Sequence, residues 1–238
     1  TLWTGEPDKG EYHPDYSLIG TLPPWGESAE WMDDVRKALD NEDYAEADRL
    51  QRHMQGHFSE NYQPLGTLEI SFPEGEISDY SHRLDISQAI AEVSYKRDGK
   101  DFKAEYFVNA PDSVIAIRLS SDAPIEASVS LSSRLPHRTD AEHGRMISEG
   151  YAAWHSYPVY YHAAKEKFLY DENRGIHYRT VVMCEDAVAE GENLKISGVK
   201  ETVIYVTNST SFAGFDRDPV KEGREYKESA LKNAGAAM

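Results

Sequence analysis

The stretch that most constrains the fold runs from Thr67 to Phe72, where polar and apolar side chains alternate. Leu68, Ile70 and Phe72 are every second residue and would face the same side of a strand. This period of two is typical of a half-buried β-strand. Pro64 lies just upstream and has no backbone N–H, so we expect strand pairing to stop there. The pattern predicts that a β-domain begins at this point, and a loop leading into such a domain would account for the residues before it.

Strand patterns dominate the rest of the chain. Asp98-Gly99 predicts a two-residue type I′ turn, because both residues of that turn need a positive φ. Turn signals recur about every 8–12 residues, which is typical of a β-sandwich. The fold class predicted is mainly β. Alternating apolar residues on the two strands that flank the turn are Ala89, Ala91, Val93 and Tyr95, then Phe102, Ala104, Tyr106 and Val108.

A helical insertion is predicted at about 27–56, near the N-terminus. Trp31, Val35 and Leu39 lie four residues apart and would form one apolar stripe on a helix. A second helix is indicated by apolar residues spaced at three and four, namely Tyr44, Ala47, Leu50 and Met54. The two together predict a short helical hairpin.

Charge and composition exclude several classes of function. The 238 residues carry a net charge of −17, whereas nucleic-acid binding requires a cationic surface. No apolar run approaches the roughly 20 residues of a membrane-spanning helix. The single cysteine, Cys184, cannot form an intrachain disulfide and lies in an apolar run, so a buried thiol is expected.

Five motifs in the same order resemble the N-terminal β-domain of glycoside hydrolase family 95, the α-L-fucosidases. Each motif is weak by itself, but together they extend over nearly the whole chain. They are Leu2 to Gly5, Tyr62 to Gly66 with its following strand, Asp79 to Tyr95, Phe107 to Leu119, and Thr210 to Pro219.

The resemblance implies a large antiparallel super-sandwich of the galactose-mutarotase type over 1–215. Residues 216–238 would then be the start of a linker to a helical (α/α)6 catalytic domain, the expected partner, which holds the catalytic carboxyls of an inverting reaction on fucosylated glycans. No residue here matches the family's catalytic motifs, so no catalytic residue is predicted. The resemblance also suggests a periplasmic or secreted protein.

Candidate carbohydrate-binding or domain-interface residues are aromatic or polar: Trp3, Tyr62, Gln63, Trp154 and His155. For each of them, packing inside the fold is the alternative reading, because large aromatic side chains dominate cores. The histidines lack metal-ligand spacing, and neither a metal nor a cofactor is expected. Asn208-Ser209-Thr210 fits a glycosylation sequon, which is a common chance match.

Two other functions are open at this point. An independent carbohydrate-binding module would use the aromatic candidates as platforms, and a stand-alone enzyme on a mutarotase-like sandwich is the third reading. The truncation that the resemblance implies predicts an exposed apolar patch near Trp3, Tyr62 or 230–238, through which a homodimer could form.

Overall fold

The computed structural model describes residues 2–4, 30–54, 62–157, 165–214 and 217–237. The chain divides into two compact units. The first comprises Thr1–Gly5, Tyr62–Trp154 and Leu169–Met238, and the second comprises Glu6–Asn61 and His155–Phe168.

The second unit contains the predicted helical hairpin, which is confirmed. Helix α1 spans Met32–Asp40, helix α2 spans Tyr44–Gln51, and a 3₁₀ turn follows at Arg52–Met54. The side chain of Asp43 caps α2 by accepting a hydrogen bond from the backbone N–H of Glu46 at 3.0 Å.

The core of this hairpin differs in part from the predicted stripe. Ala38, Ala47 and Leu50 are buried, and Trp31 and Val35 pack against them. Leu39 is 47% exposed, because its neighbour Ala38 faces α2 instead.

Thirteen strands are described along the chain. They are β1 Leu2–Thr4, β2 Gln63–Ser71, β3 Ile77–Asp85, β4 Ile90–Arg97, β5 Lys100–Asn109, β6 Val114–Ser132, β7 His137–Glu142, β8 Arg145–Tyr151, β9 His155–Ser156, β10 Phe168–Leu169, β11 His177–Met183, β12 Ala187–Glu190 and β13 Asn193–Thr210. A third helix, α3, spans Lys227–Ala236.

Eleven strands join in one antiparallel sheet whose main order is β3-β4-β5-β6-β13-β11-β8-β7. The long strands β6 and β13 take part in two layers. The first part of β6 pairs with β5 and its last part pairs with β2, while β13 pairs first with β12 and later with β11. Register shifts on either side of Val199 interrupt the ladder between β13 and β6. The predicted mainly β, antiparallel sandwich is thereby confirmed.

One apolar core lies between the two layers. Its most completely buried side chains include Leu194, Ile196 and Ile204 of β13, with Val129 of β6 and Met146 of β8. Burying an aliphatic side chain of this kind contributes about 1.5–3 kcal/mol to folding, so this core is the main source of stability in the first unit.

Strand pairing runs through Pro64, and the prediction that it would stop there is wrong. Pro64 is the second residue of β2 and lies opposite Trp3 of β1, where the register shifts. β6 pairs with β2 only from Thr67 onward, so the N–H that proline lacks is not required by that ladder.

The turn between β4 and β5 is confirmed, with φ of 51° at Asp98 and 74° at Gly99. Ala89 belongs to the preceding turn rather than to the strand, since its φ is 56° and β4 begins at Ile90.

Helix α3 covers the outer face of β11 through small side chains. Ala230 and Ala234 are fully buried against Val181, and Ile147, Met183 and Leu231 pack around them. The predicted exposed apolar patch is therefore wrong for Ala230 and Ala234, because alanines let the helix approach the sheet closely. Whether 216–238 leads into a further domain stays a prediction.

Cys184 is buried, as predicted, and its Sγ lies 3.2 Å from Oγ1 of Thr202. Burial raises the pKa of this thiol, so the unreactive protonated form is favoured. In the part of the chain that the structure describes, no helix has the length and apolarity needed to cross a membrane.

Candidate functional site

Gln63, at the first position of β2, makes two side-chain hydrogen bonds to distant parts of the first unit. Its side chain is 6% exposed. Nε2 donates to the hydroxyl of Tyr170 at 3.1 Å, and Oε1 accepts from the backbone N–H of Ala153 at 3.1 Å. One amide therefore joins the start of β2 to two segments that lie far away in the sequence.

Those two segments are also bonded to each other through their backbones. The N–H of Ala152 donates to Ile176 O at 2.9 Å, and the N–H of Trp154 donates to Leu169 O at 3.0 Å. Gly175 lies so close to Ala152 that a Cβ at this glycine would overlap the carbonyl oxygen of Ala152. We call Gln63, Ala153, Trp154, Tyr170 and Arg174 the Gln63 cluster.

Trp154 is half-buried, and the guanidinium carbon of Arg174 lies 3.7 Å from the centroid of its indole ring. A cation this close to an aromatic face is attracted to the ring. The same face would have to be open for a sugar ring to stack there. The contact thus favours a structural role for Trp154 over a sugar platform.

The structure places the remaining predicted site residues as follows. Trp3 lies opposite Pro64 in the β1–β2 ladder, and its side chain is outside the described part of the structure. Tyr62 is 74% exposed. His155 is buried in the second unit, with its ring edge-on to Tyr157 at 4.5 Å. Among the predicted site residues whose side chains the structure describes, Gln63 and Trp154 are brought into one cluster.

Sequence reasoning missed Ala153, Tyr170 and Arg174. Gln63 and Tyr170 are separated by 107 residues, so no local pattern links them. The one available signal is Gly175, a glycine directly after Arg174, where a close backbone approach occurs.

The general acid in glycoside hydrolysis is a carboxyl group whose pKa is raised. The carboxyl groups with a resolved pKa shift are shifted in the opposite direction. Four carboxyls have a pKa below the ordinary range, because a hydrogen bond stabilises the charged form of each. The donors are the Arg49 side chain for Glu46, the Ser87 hydroxyl for Asp85, the Lys103 side chain for Glu92 and the Glu228 backbone for Glu225. Among the described residues, no group of three or more His, Cys, Asp or Glu side chains could hold a metal ion.

We expect no glycan at Asn208 when the chain is secreted from a glycosylating host. Its Nδ2, the atom that a glycan would modify, donates to Arg179 O at 3.2 Å and to Thr180 Oγ1 at 2.9 Å inside the sheet. Intact-mass analysis checks this, with Thr210→Ala as the control that removes the sequon. A mass difference beyond the substitution itself, abolished by a glycosidase, would contradict the prediction.

Gln63→Ala should lower the free energy of unfolding by about 1–3 kcal/mol, because it leaves the Ala153 N–H without its acceptor. Urea denaturation followed by circular dichroism measures the change. Gln88→Ala is the matched control, since Gln88 is exposed in the turn before β4. Equal midpoints for the two variants would show that the Gln63 cluster contributes nothing to stability.

Comparison with known protein families identifies the domain type. A family model described as "Glycosyl hydrolase family 65, N-terminal domain" matches residues 1–214. The chain belongs to this domain family. The predicted glycoside hydrolase N-terminal β-domain is confirmed at this level, while the finer prediction of family 95 stays a prediction.

Two similar proteins add further context to this N-terminal domain. α-L-Fucosidase 2 from Arabidopsis thaliana is 26% identical over 232 residues, which cover 90% of this chain and 26% of the relative. A solved structure described as a candidate kojibiose phosphorylase from the human microbiome matches with a TM-score of 0.38 and 11% sequence identity. The match covers 76% of this chain and 25% of the phosphorylase chain. The chain thus spans about a quarter of the length of each.

Proposed function

We propose that this domain is the non-catalytic N-terminal part of a glycoside hydrolase, and that it supports a separate catalytic domain. The match of residues 1–214 to the family 65 N-terminal domain carries the proposal. At the finer level we propose an enzyme similar to the inverting α-L-fucosidases of family 95, with an (α/α)6 catalytic domain. The order of the five motifs and the similarity to the Arabidopsis fucosidase support this level.

The chemistry of the described residues supports a scaffold rather than a catalyst. The polar atoms of Gln63 are engaged in internal hydrogen bonds, and Arg174 covers one face of Trp154. The four carboxyls with resolved shifts are stabilised in the charged form, so none of these four is suited to donate a proton at neutral pH. The large core between the sheets provides a rigid body against which another domain can pack.

The first test compares hydrolysis of 4-nitrophenyl α-L-fucoside by the purified chain, by the protein expressed from its full reading frame, and by the Arabidopsis fucosidase as positive control. We expect turnover from the full reading frame and none from the chain alone. Removal of residues 1–214 should leave the remainder insoluble or inactive. Saturable turnover by the chain alone would contradict the non-catalytic role, and an inactive full-length protein would contradict the fucosidase assignment.

The second test addresses the carbohydrate-binding alternative. Titration of the chain with a fucosylated oligosaccharide should leave tryptophan fluorescence unchanged, because Arg174 already lies over one face of the Trp154 indole. Saturable quenching that Trp154→Ala abolishes would instead assign the chain as a carbohydrate-binding module.

A further inference from the structure

A row of polar side chains crosses five strands on the side of the sheet that faces away from the core. Its members lie directly opposite one another from strand to strand, and opposite residues of antiparallel strands share a face. In order across the sheet they are Ser81 of β3, Ser94 of β4, Lys103 of β5, Ser120 of β6 and Glu201 of β13. Because neighbouring strands lie about 4.8 Å apart, the row is about 19 Å long. We call it the serine row.

A groove of about 470 Å³ lies over the serine row, on the outer side of the sheet. The direction follows from Lys103, whose neighbours along β5, Phe102 and Ala104, are both buried in the core. Tyr95 also borders the groove, but its ring packs on Phe102 with the two centroids 4.8 Å apart. The floor of the groove is therefore formed by the polar side chains of the serine row.

The floor has hydrogen-bonding groups that the protein itself leaves available. Within the described part of the chain, the hydroxyls of Ser94 and Ser120 make no hydrogen bond, and both residues are half-buried. The ammonium of Lys103 lies 2.9 Å from a carboxylate oxygen of Glu92 and 2.9 Å from one of Glu105. An ammonium has three N–H donors, so these two pairs leave one for a ligand. Donors and acceptors thus stand side by side on rigid strands.

The charges around the groove nearly balance. Three lysines and four acidic residues line it, and the carboxylate of Asp79 lies 2.8 Å from the ammonium of Lys96. A strongly anionic or cationic ligand would therefore gain little from the groove. A protein partner is also disfavoured, since the outward-facing side chains include none of the large aromatic anchors typical of such interfaces. A neutral ligand with many hydroxyls fits best, because each hydroxyl both donates and accepts hydrogen bonds.

We propose that this groove binds the neutral backbone of an oligosaccharide, lying across the strands along the serine row. The inference rests on the proposed function, which makes the chain part of an enzyme that acts on glycans. The length of the row suits several sugar rings rather than one terminal sugar. Binding there would hold the chain of a substrate glycan and would take no part in its hydrolysis. The site is separate from the Gln63 cluster, and no tryptophan lines it.

The experiment titrates lacto-N-tetraose, a neutral tetrasaccharide without fucose, into the isotope-labelled chain and follows backbone amide shifts by NMR. The test variant combines Ser94→Ala with Ser120→Ala. The matched control combines Ser128→Ala with Ser130→Ala, later in β6. These two serines are also half-buried, flank the core residue Val129 and lie outside the groove. Circular dichroism checks that both variants keep the fold.

We expect saturable shifts at the amides of Ser94, Lys103 and Ser120, with a dissociation constant of about 1 mM or below. The test variant should bind about tenfold more weakly, as expected for two lost neutral hydrogen bonds, and the control should bind like the unchanged chain. Added NaCl should leave the affinity unchanged, because the ligand is neutral.

The absence of saturable shifts in the unchanged chain would overturn the proposal, whatever the variants do. Equal affinities for the test and control variants would overturn it as well, since binding would then lie elsewhere. The tetrasaccharide carries no fucose and no bond is cleaved in the titration. Failure of the proposed fucosidase activity is therefore a separate result.

Discussion

Gly175→Ala should lower the free energy of unfolding by about 3 kcal/mol, the upper range for an overpacked site. The new methyl group would overlap the carbonyl oxygen of Ala152. That carbonyl belongs to backbone that cannot move freely, since the Ala152 N–H is bonded to Ile176 O at 2.9 Å. For a chain of this length the midpoint should fall by about 6–12 °C.

The matched control for this variant is Gly235→Ala in α3. A Cβ there would meet no atom within 4 Å. Because alanine is the better helix former, this variant should be neutral or more stable by about 0.5–1 kcal/mol. Calorimetry of the two variants measures the difference. Similar midpoints would show that the backbone at Ala152 can shift to accept the methyl group, and that its position next to Gly175 is not fixed.

Leu194→Ala should lower the free energy of unfolding by about 3–4 kcal/mol, as expected for a leucine removed from a closed core. Leu194 is 0% exposed and lies where β13 pairs with β6 and β12. The loss includes both the transfer of the side chain to water and the cavity left between the two layers. Urea denaturation monitored by circular dichroism provides the measurement.

Leu84→Ala is the control for the same substitution at the surface, since Leu84 in β3 is 63% exposed. Its effect should stay within about 0.5 kcal/mol. If Leu194→Ala were as mild as this control, the two layers would not share a closed core, contrary to the sandwich described above.

The period of two in Thr67–Phe72 and the Asp98-Gly99 turn were readable from the sequence because both depend on neighbouring residues only. Alternation determines which side chains face the core, and a type I′ turn requires positive φ at two adjacent positions. The helical hairpin was predictable for the same reason, although Ala38 rather than Leu39 faces α2. The mainly β class also follows from the sequence.

The tertiary structure alone decided which distant segments meet. Gln63 bonds to Tyr170 across 107 residues, and Arg174 lies over Trp154 only because two backbone bonds hold their segments together. The pairing through Pro64 and the burial of Ala230 and Ala234 likewise depend on which element lies alongside. Local patterns specify strands and turns through short-range sterics, whereas the partners of a side chain are set by how the sheet bends, which no single stretch of sequence encodes.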